Sequence, residues 1–157
     1  MSDTPESPGT PAPPGSPESP SPADLMDQLA RVAAAYYRHF AAAATVHGLT
    51  LMQGKMLSLL RRPRPMRTLA DLLGCDASNV TGIVDRLEAR DLVRRETDPA
   101  DRRIKNVVLT EDGERTVRAI RSGLMSDLTA LERLDAGDRR AFGALLDRVF
   151  PDPATTG

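Results

Sequence analysis

The sequence predicts a mainly α fold with one small β-hairpin, and three observations predict it. From residue 24 onward, apolar residues recur at spacings of three and four, the period of helices that bury one face. In Ala77 to Arg90 the same spacing returns as Val80, Ile83, Val84 and Leu87, directly after a Gly-Cys-Asp turn at 74–76. Beyond it, LVRRET (92–97) and KNVVLT (105–110) read as strands around DPADRR, whose Pro, Asp and charges suit a turn.

Taken in order, the chain opens on SDTPESPGTPAPPGSPESPSP (2–22), which holds no large apolar side chain. Nothing there repays the entropy of ordering, so residues 1–23 are expected to form a disordered Pro/Ser-rich tail. A helix is expected from Asp24, an N-cap residue type, to about Val46, with Gly48 ending it. Its stripe of Leu25, Leu29, Val32, Tyr36, Phe40 and Ala43 is widened by Met26 and Tyr37 beyond what one small core needs. Thr50 caps a second helix, TLMQGKMLSLLRR, with Leu51, Met52, Met56, Leu59 and Leu60 facing inward. Pro63-Arg64-Pro65 then enforces an extended connection, because a residue preceding proline is pushed out of the helical region. A short helix follows from about Met66 to Leu73; Gly74 suits the left-handed position at its end, and Asp76 caps the next helix.

Two short helices joined by 74–76 form a helix-turn-helix, whose second helix enters a major groove. At 100° per residue, Ser78, Gly82, Asp85 and Ala89 point away from the apolar stripe, with Asn79, Thr81 and Arg86 on the flanks. Short polar side chains and a Gly let a helix backbone approach another surface closely. The hairpin turns the motif into a winged helix-turn-helix whose wing carries Arg94, Arg95, Arg102, Arg103 and Lys105, a density suited to phosphates or a minor groove. Asp101 and Arg103, two apart, are expected to point the same way, the carboxylate orienting the guanidinium. After the N-cap Thr110, one long helix is expected over Glu111 to Arg133, with Val117, Ile120, Leu124, Leu128 and Leu131 as an interface-grade stripe. Asp135 caps a last helix bearing Phe142, Leu145, Leu146, Val149 and Phe150, which Pro151 ends.

The run LADLLGCDASNVTGIVDRLEARDLVRRETDPADRRIKNVVLTEDG (69–113) resembles the multiple-antibiotic-resistance regulator (MarR) family of bacterial transcription factors. The resemblance implies a homodimer with one winged helix-turn-helix per protomer, an interface built from both chain ends, and repression until a small molecule or oxidant releases the DNA. It makes Arg103 the minor-groove residue. One departure stands at Asp91, where the family usually has Gly; Asp tolerates the left-handed conformation less well and adds negative charge near the DNA-facing surface.

The expected fold class is therefore mainly α with a small β-wing: one MarR-like domain over 24–153, a winged helix-turn-helix at about 50–110, and dimerisation helices at about 24–46 and 111–150. The expected partners are double-stranded DNA and a second copy, through Ser78, Asn79, Thr81, Gly82, Arg86, Arg102 and Arg103, with Asp101 orienting. A small amphipathic or aromatic effector is expected where Tyr36, His39, Phe40, His47, Met52 and Met56 converge, with ordinary core packing as the alternative for those residues.

Composition narrows the rest. The net charge of -1 conceals 11 basic against 8 acidic residues from Arg61 to Lys105, a mild local excess that supports nucleic-acid binding weakly by itself. His39, His47 and Cys75 exhaust the soft ligands, and no CxxC, HExxH, GxSxG or phosphate loop is present, so no catalytic residue, metal or cofactor is assigned. Cys75, in the turn before the 77–90 helix, reads as a structural thiol, with redox sensing as the alternative. A winged-helix protein-interaction module without DNA is the other alternative. With no membrane-length apolar run and no basic-then-apolar N-terminus, the expected location is the cytoplasm.

Overall fold

The computed structural model describes residues 19–151, so the expectation of a disordered tail falls largely outside the described residues. The chain divides into an N-terminal unit ending at Ala35 and a second unit beginning at Tyr36. Helix α1 (Pro22–Val46) starts in the first unit and ends in the second. It begins two residues before the expected Asp24, because Ser21 is the cap. The Ser21 hydroxyl accepts from the Asp24 N–H at 3.2 Å, and the Asp24 carboxylate accepts from the Ser21 N–H at 3.0 Å, a reciprocal box that extends the helix backward. Pro22 and Ala23 thus belong to the helix and not to the tail.

In the second unit, α2 (Leu51–Leu59) opens with a capping box between Thr50 and Gln53. It stops short of the expected Arg62. Leu60 turns out of the helix with its N–H on the Leu57 carbonyl, and Arg64 Nε reaches back to the Leu59 carbonyl at 2.8 Å. Gln53, Gly54, Met56 and Leu57 are its buried residues and Leu60 is buried just beyond its end, while Leu51, Met52 and Leu59 are only half-buried.

The proline-bracketed connection is extended as expected and also pairs. As β1 (Arg64–Pro65) it becomes the third strand of an antiparallel sheet, order β1-β3-β2, beside β2 (Val93–Thr97) and β3 (Lys105–Leu109). Arg64 stands opposite Val107, and Arg95 faces Val107 from the other side. Between β1 and β2 lie α3 (Met66–Leu73) and α4 (Ala77–Glu88), joined by the turn at 74–76.

After β3 come α5 (Glu111–Asp127), α6 (Ala130–Arg133) and α7 (Ala136–Val149). The single long helix expected over 111–133 is therefore broken. Leu128 leaves the helical region (φ -105°, ψ 38°) in the run Ser126-Asp127-Leu128-Thr129, three of whose residues are weak helix formers. The α5 stripe is also not an open interface: Ile120 is 1% exposed and Leu124 8%, packed in the same core as Phe40, Met56, Leu57, Leu69, Val80, Val84, Leu87, Val93 and Val107. By contrast, α7 has no buried residue.

Three helices end in one geometry. After α1, α3 and α4, a residue with positive φ lets the next N–H reach back five residues: Leu49 to Ala44, Cys75 to Ala70 and Leu92 to Leu87, at 3.1, 3.2 and 3.0 Å. The positive-φ residues are Gly48, Gly74 and Asp91, at 65°, 63° and 54°. Asp91 thus adopts the left-handed turn that the sequence expected of it, at a cost that Gly would not bear. Replacing Asp91 with Gly is expected to raise stability on the order of 0.5 kcal/mol, read as a higher thermal midpoint. Gly113 → Ala should act oppositely. A Cβ there would stand 2.0 Å from the Leu92 carbonyl oxygen, so α5 must shift off the sheet, a loss of about 1–3 kcal/mol in chemical denaturation.

Candidate nucleic-acid interface

Helix α4 divides cleanly by exposure. Val80, Ile83, Val84 and Leu87 are at most 3% exposed, whereas Ser78, Asn79, Thr81, Asp85 and Arg86 all face solvent, with Gly82 half-covered among them. Asp76 caps the helix by accepting from the Asn79 N–H at 2.9 Å and the Ser78 hydroxyl at 2.7 Å, and these bonds hold its carboxyl below the usual carboxylate range, the Ser78 bond most strongly. The Thr81 hydroxyl donates to the Ala77 carbonyl at 2.9 Å. Ser78 and Thr81 have therefore spent their hydroxyl protons within the protein and present lone pairs outward, a match for the amino groups that cytosine and adenine show in the major groove. At Gly82 the nearest group to an added Cβ is the Arg86 guanidinium at 3.6 Å, the end of a flexible side chain.

The five wing cations expected to act together are divided by the structure. Arg95 turns inward: Nη2 bonds Asp85 Oδ1 at 2.5 Å, Nη1 bonds Glu88 Oε2, and its backbone N–H donates to Glu88 Oε1 at 3.2 Å. The guanidinium is held more firmly charged than usual, above all by the Asp85 hydrogen bond, against the opposing effect of burial. Arg94 pairs with Glu96 at 2.7 Å, and Lys105 donates to the Thr97 hydroxyl at 2.6 Å. Arg102 and Arg103, at the loop tip, are exposed and have no ion-pair partner among the described residues.

Asp101 orients the tip differently from the expectation. Its carboxylate accepts from the Arg103 backbone N–H at 2.9 Å and not from the guanidinium. The local turn at residues 102–103 brings the main-chain N–H closer than the side chain, because Asp readily bonds the backbone two residues on. Asp98 completes the loop by accepting from Asn106 Nδ2 at 2.6 Å and from the N–H groups of Ala100 and Asp101, which hold its carboxyl below the usual range in that order. Neither Asp98 nor Asn106 stood out in the sequence; an Asp opening a turn beside a Pro was the available signal.

The residues expected to meet an effector do not converge as a group. A cleft of about 250 Å³ is lined by Tyr36, Tyr37, Phe40, Lys55, Ser58, Leu59 and Leu72, and a second of about 130 Å³ shares Tyr36, Phe40 and Ser58 and adds Arg61, Arg121 and apolar α5 residues. Tyr36 and Phe40 line both. His39 instead bonds Asp127 at 3.3 Å; His47 lies in the turn beyond α1, where Arg90 binds its carbonyl; Met52 packs on the core one turn before Lys55; and Met56 is fully buried. Phase explains this. On α2, Lys55, Ser58 and Leu59 share a face, and Met56 lies 100° around toward the core. Cys75 is half-buried and packs against the same core, as a structural thiol does.

A helix-turn-helix that leaves a polar reading face bare, next to a basic β-hairpin, defines a winged-helix DNA-binding protein. Residues 49–105 match the MarR family. NicR, an HTH-type transcriptional repressor of Pseudomonas putida, is 33% identical over 87% of this chain and 91% of its own length. Among solved structures, CouR from Rhodococcus jostii RHA1, bound to p-coumaroyl-CoA, superposes with TM-score 0.66 at 28% identity, covering 82% of this chain and 94% of CouR. A MarR-family regulator from Rhodococcus sp. RHA1 gives 0.64 at 26% identity over 85% of this chain and all of its own. The chain belongs to the MarR family and is a DNA-binding transcriptional regulator, not an enzyme. Members of the family bind DNA and form dimers. Among the described residues, no helix is long and apolar enough to cross a membrane.

Because nothing rigid borders Gly82, Gly82→Glu should leave thermal unfolding unchanged while adding bulk and negative charge to the bare face. Operator binding in a mobility-shift titration is expected to disappear; normal binding would move the reading face elsewhere on α4.

Proposed function

We propose that the protein is a homodimeric repressor that reads a pseudo-palindromic operator and is released by a small aromatic or amphipathic effector. The observation that carries the DNA-reading part is the bare α4 face, with Ser78, Asn79, Thr81, Gly82 and Arg86, beside a loop tip whose Arg102 and Arg103 guanidinium groups are unpaired among the described residues. The α4 residues would enter the major groove and Arg103 a narrow, A·T-rich minor groove, where negative potential concentrates. Repression draws support from the relative NicR, a transcriptional repressor.

Dimerisation is supported by apolar surface that the protomer leaves open. On α7 and its C-cap, Phe142, Leu145, Leu146, Val149 and Phe150 are 42–62% exposed, and on the N-terminal unit Leu25, Met26 and Val32 are at least half exposed. Two-fold symmetry then sets half-sites one helical turn apart, roughly 10 base pairs centre to centre.

The effector reading rests on the cleft at Tyr36, Tyr37 and Phe40. Lys55 Nζ stands 4.9 Å from the Tyr37 ring centroid, which places one cation beside an aromatic wall, and Arg61 and Arg121 border the adjoining cleft. An aromatic acid suits that lining. CouR, a structural neighbour, was solved bound to p-coumaroyl-CoA.

Binding operator fragments selected from the source genome tests the whole reading. Affinity should fall steeply with salt, as counterion release from several Arg contacts requires, and a salt-independent complex would contradict it. Leu145→Glu should convert a dimer to a monomer by light scattering and reduce operator affinity together with it; a dimer unchanged by this substitution would put the interface elsewhere. If an aromatic acid lowers operator affinity tenfold, it must bind the operator complex about tenfold more weakly than the free protein, a coupling of roughly 1.4 kcal/mol.

A further inference from the structure

Arg95 lies on β2 and Arg103 at the tip of the same hairpin, so whatever fixes the base of the hairpin decides where the tip arrives. Beside the burial of Val93 and Val107 in the core, the hairpin has two lateral supports. One is β1, a two-residue edge in which Pro65 has no N–H to contribute. The other is Arg95, which makes three hydrogen bonds to two carboxylates one turn apart on α4: Asp85, from the bare face, and Glu88. Asp85 and Glu88 sit at i and i+3, and the planar, forked guanidinium bridges them where a single ammonium would not.

We infer that Arg95 is a positioning residue for operator binding. By holding Asp85 and Glu88 together, it fixes the wing against the reading helix, so that the major-groove contacts of α4 and the minor-groove contact of Arg103 are made as one rigid unit. The inference rests on the DNA-reading surface proposed above. It differs from a purely stabilising role because the Arg95 side chain is 28% exposed and those of Asp85 and Glu88 58% and 38%, and ion pairs that still reach water add only modestly to folding. It differs also from charge masking, in which Arg95 would merely hide two carboxylates from the DNA phosphates.

A cycle of variants on the full-length protein separates these roles, read by fluorescence anisotropy on an operator with A·T-rich flanks and on one with G·C flanks. In the wild-type background, Arg103→Ala is expected to weaken binding to the A·T-flanked operator by about tenfold or more. In the Arg95→Met background the same change is expected to cost less than about twofold, because a wing that is no longer delivered cannot lose its contact. Arg95→Met should also erase most of the A·T preference while leaving the thermal midpoint within a few degrees. Arg95→Lys should fall between the two. An Arg103→Ala penalty of equal size in both backgrounds would overturn the inference. So would full recovery of affinity and A·T preference in Asp85→Asn/Glu88→Gln/Arg95→Met, since that result assigns Arg95 to charge masking. If Arg103→Ala has no effect even in the wild-type background, it is the wing's part in DNA reading that fails, and the positioning role falls with it.

Discussion

The structure depends on one constraint at α4: the helix must bury one face completely and leave the other bare. Val80, Ile83, Val84 and Leu87 meet a core to which α1, α2, α3, the sheet and α5 all contribute. Complete burial of four branched side chains is worth several kcal/mol, on the order of 1.5–3 kcal/mol each, and it removes any freedom of the helix to roll. A helix that cannot roll presents Ser78, Gly82 and Arg86 at fixed angles. The polar face therefore owes its precision to the apolar one.

That division explains how much of the molecule could be read from the chain. The α4 stripe, the N-cap at Asp76, the left-handed turn at Asp91 and both wing strands follow from local spacing and backbone preference, so they stand where sequence reasoning put them. Element ends were less legible. Ser21 displaced Asp24 as a cap because either residue can open that helix, and only the reciprocal bond decides between them. The break at Leu128 was missed because an unbroken apolar period conceals weak helix formers. The third strand at Arg64–Pro65 was invisible for a different reason. Its partner, β3, lies some forty residues away, and two residues carry no period of their own.

Charge was the least legible property, and the wing shows why. Arg94, Arg95, Arg102, Arg103 and Lys105 look equivalent along the chain, but their partners are set by the fold. Arg95 finds carboxylates seven and ten residues back, on a helix that only the turn at Asp91 brings alongside. Arg103 finds none, because Asp98 and Asp101 are occupied with main-chain N–H groups and with Asn106. The residues expected to meet an effector divide for a similar reason. Met56 and Tyr36 both sit on apolar stripes, and only the packing of α1, α2 and α5 in the second unit separates a core position from a cleft wall.

The same turn at Asp91, with the residue before it, joins four parts of the chain. Its left-handed backbone ends α4 and lets Leu92 pack back on Leu87. Its carbonyl accepts the Thr110 hydroxyl at 2.5 Å, and that hydroxyl oxygen also caps α5 by accepting from the Gly113 N–H at 3.0 Å. Gly113 in turn lies so close to the Leu92 carbonyl that no side chain fits between them. Arg90, one residue before the turn, grips the carbonyls of His47 and Gly48 at the end of α1, each at 2.8 Å. The end of the reading helix, the root of the wing, the start of α5 and the end of α1 are thus tied within a few residues. A displacement of α1, which lines both aromatic clefts, or of α5, which lines the second, has a short covalent and hydrogen-bonded route to the α4 face, and this is the physical link that release of DNA by a cleft-bound effector would use.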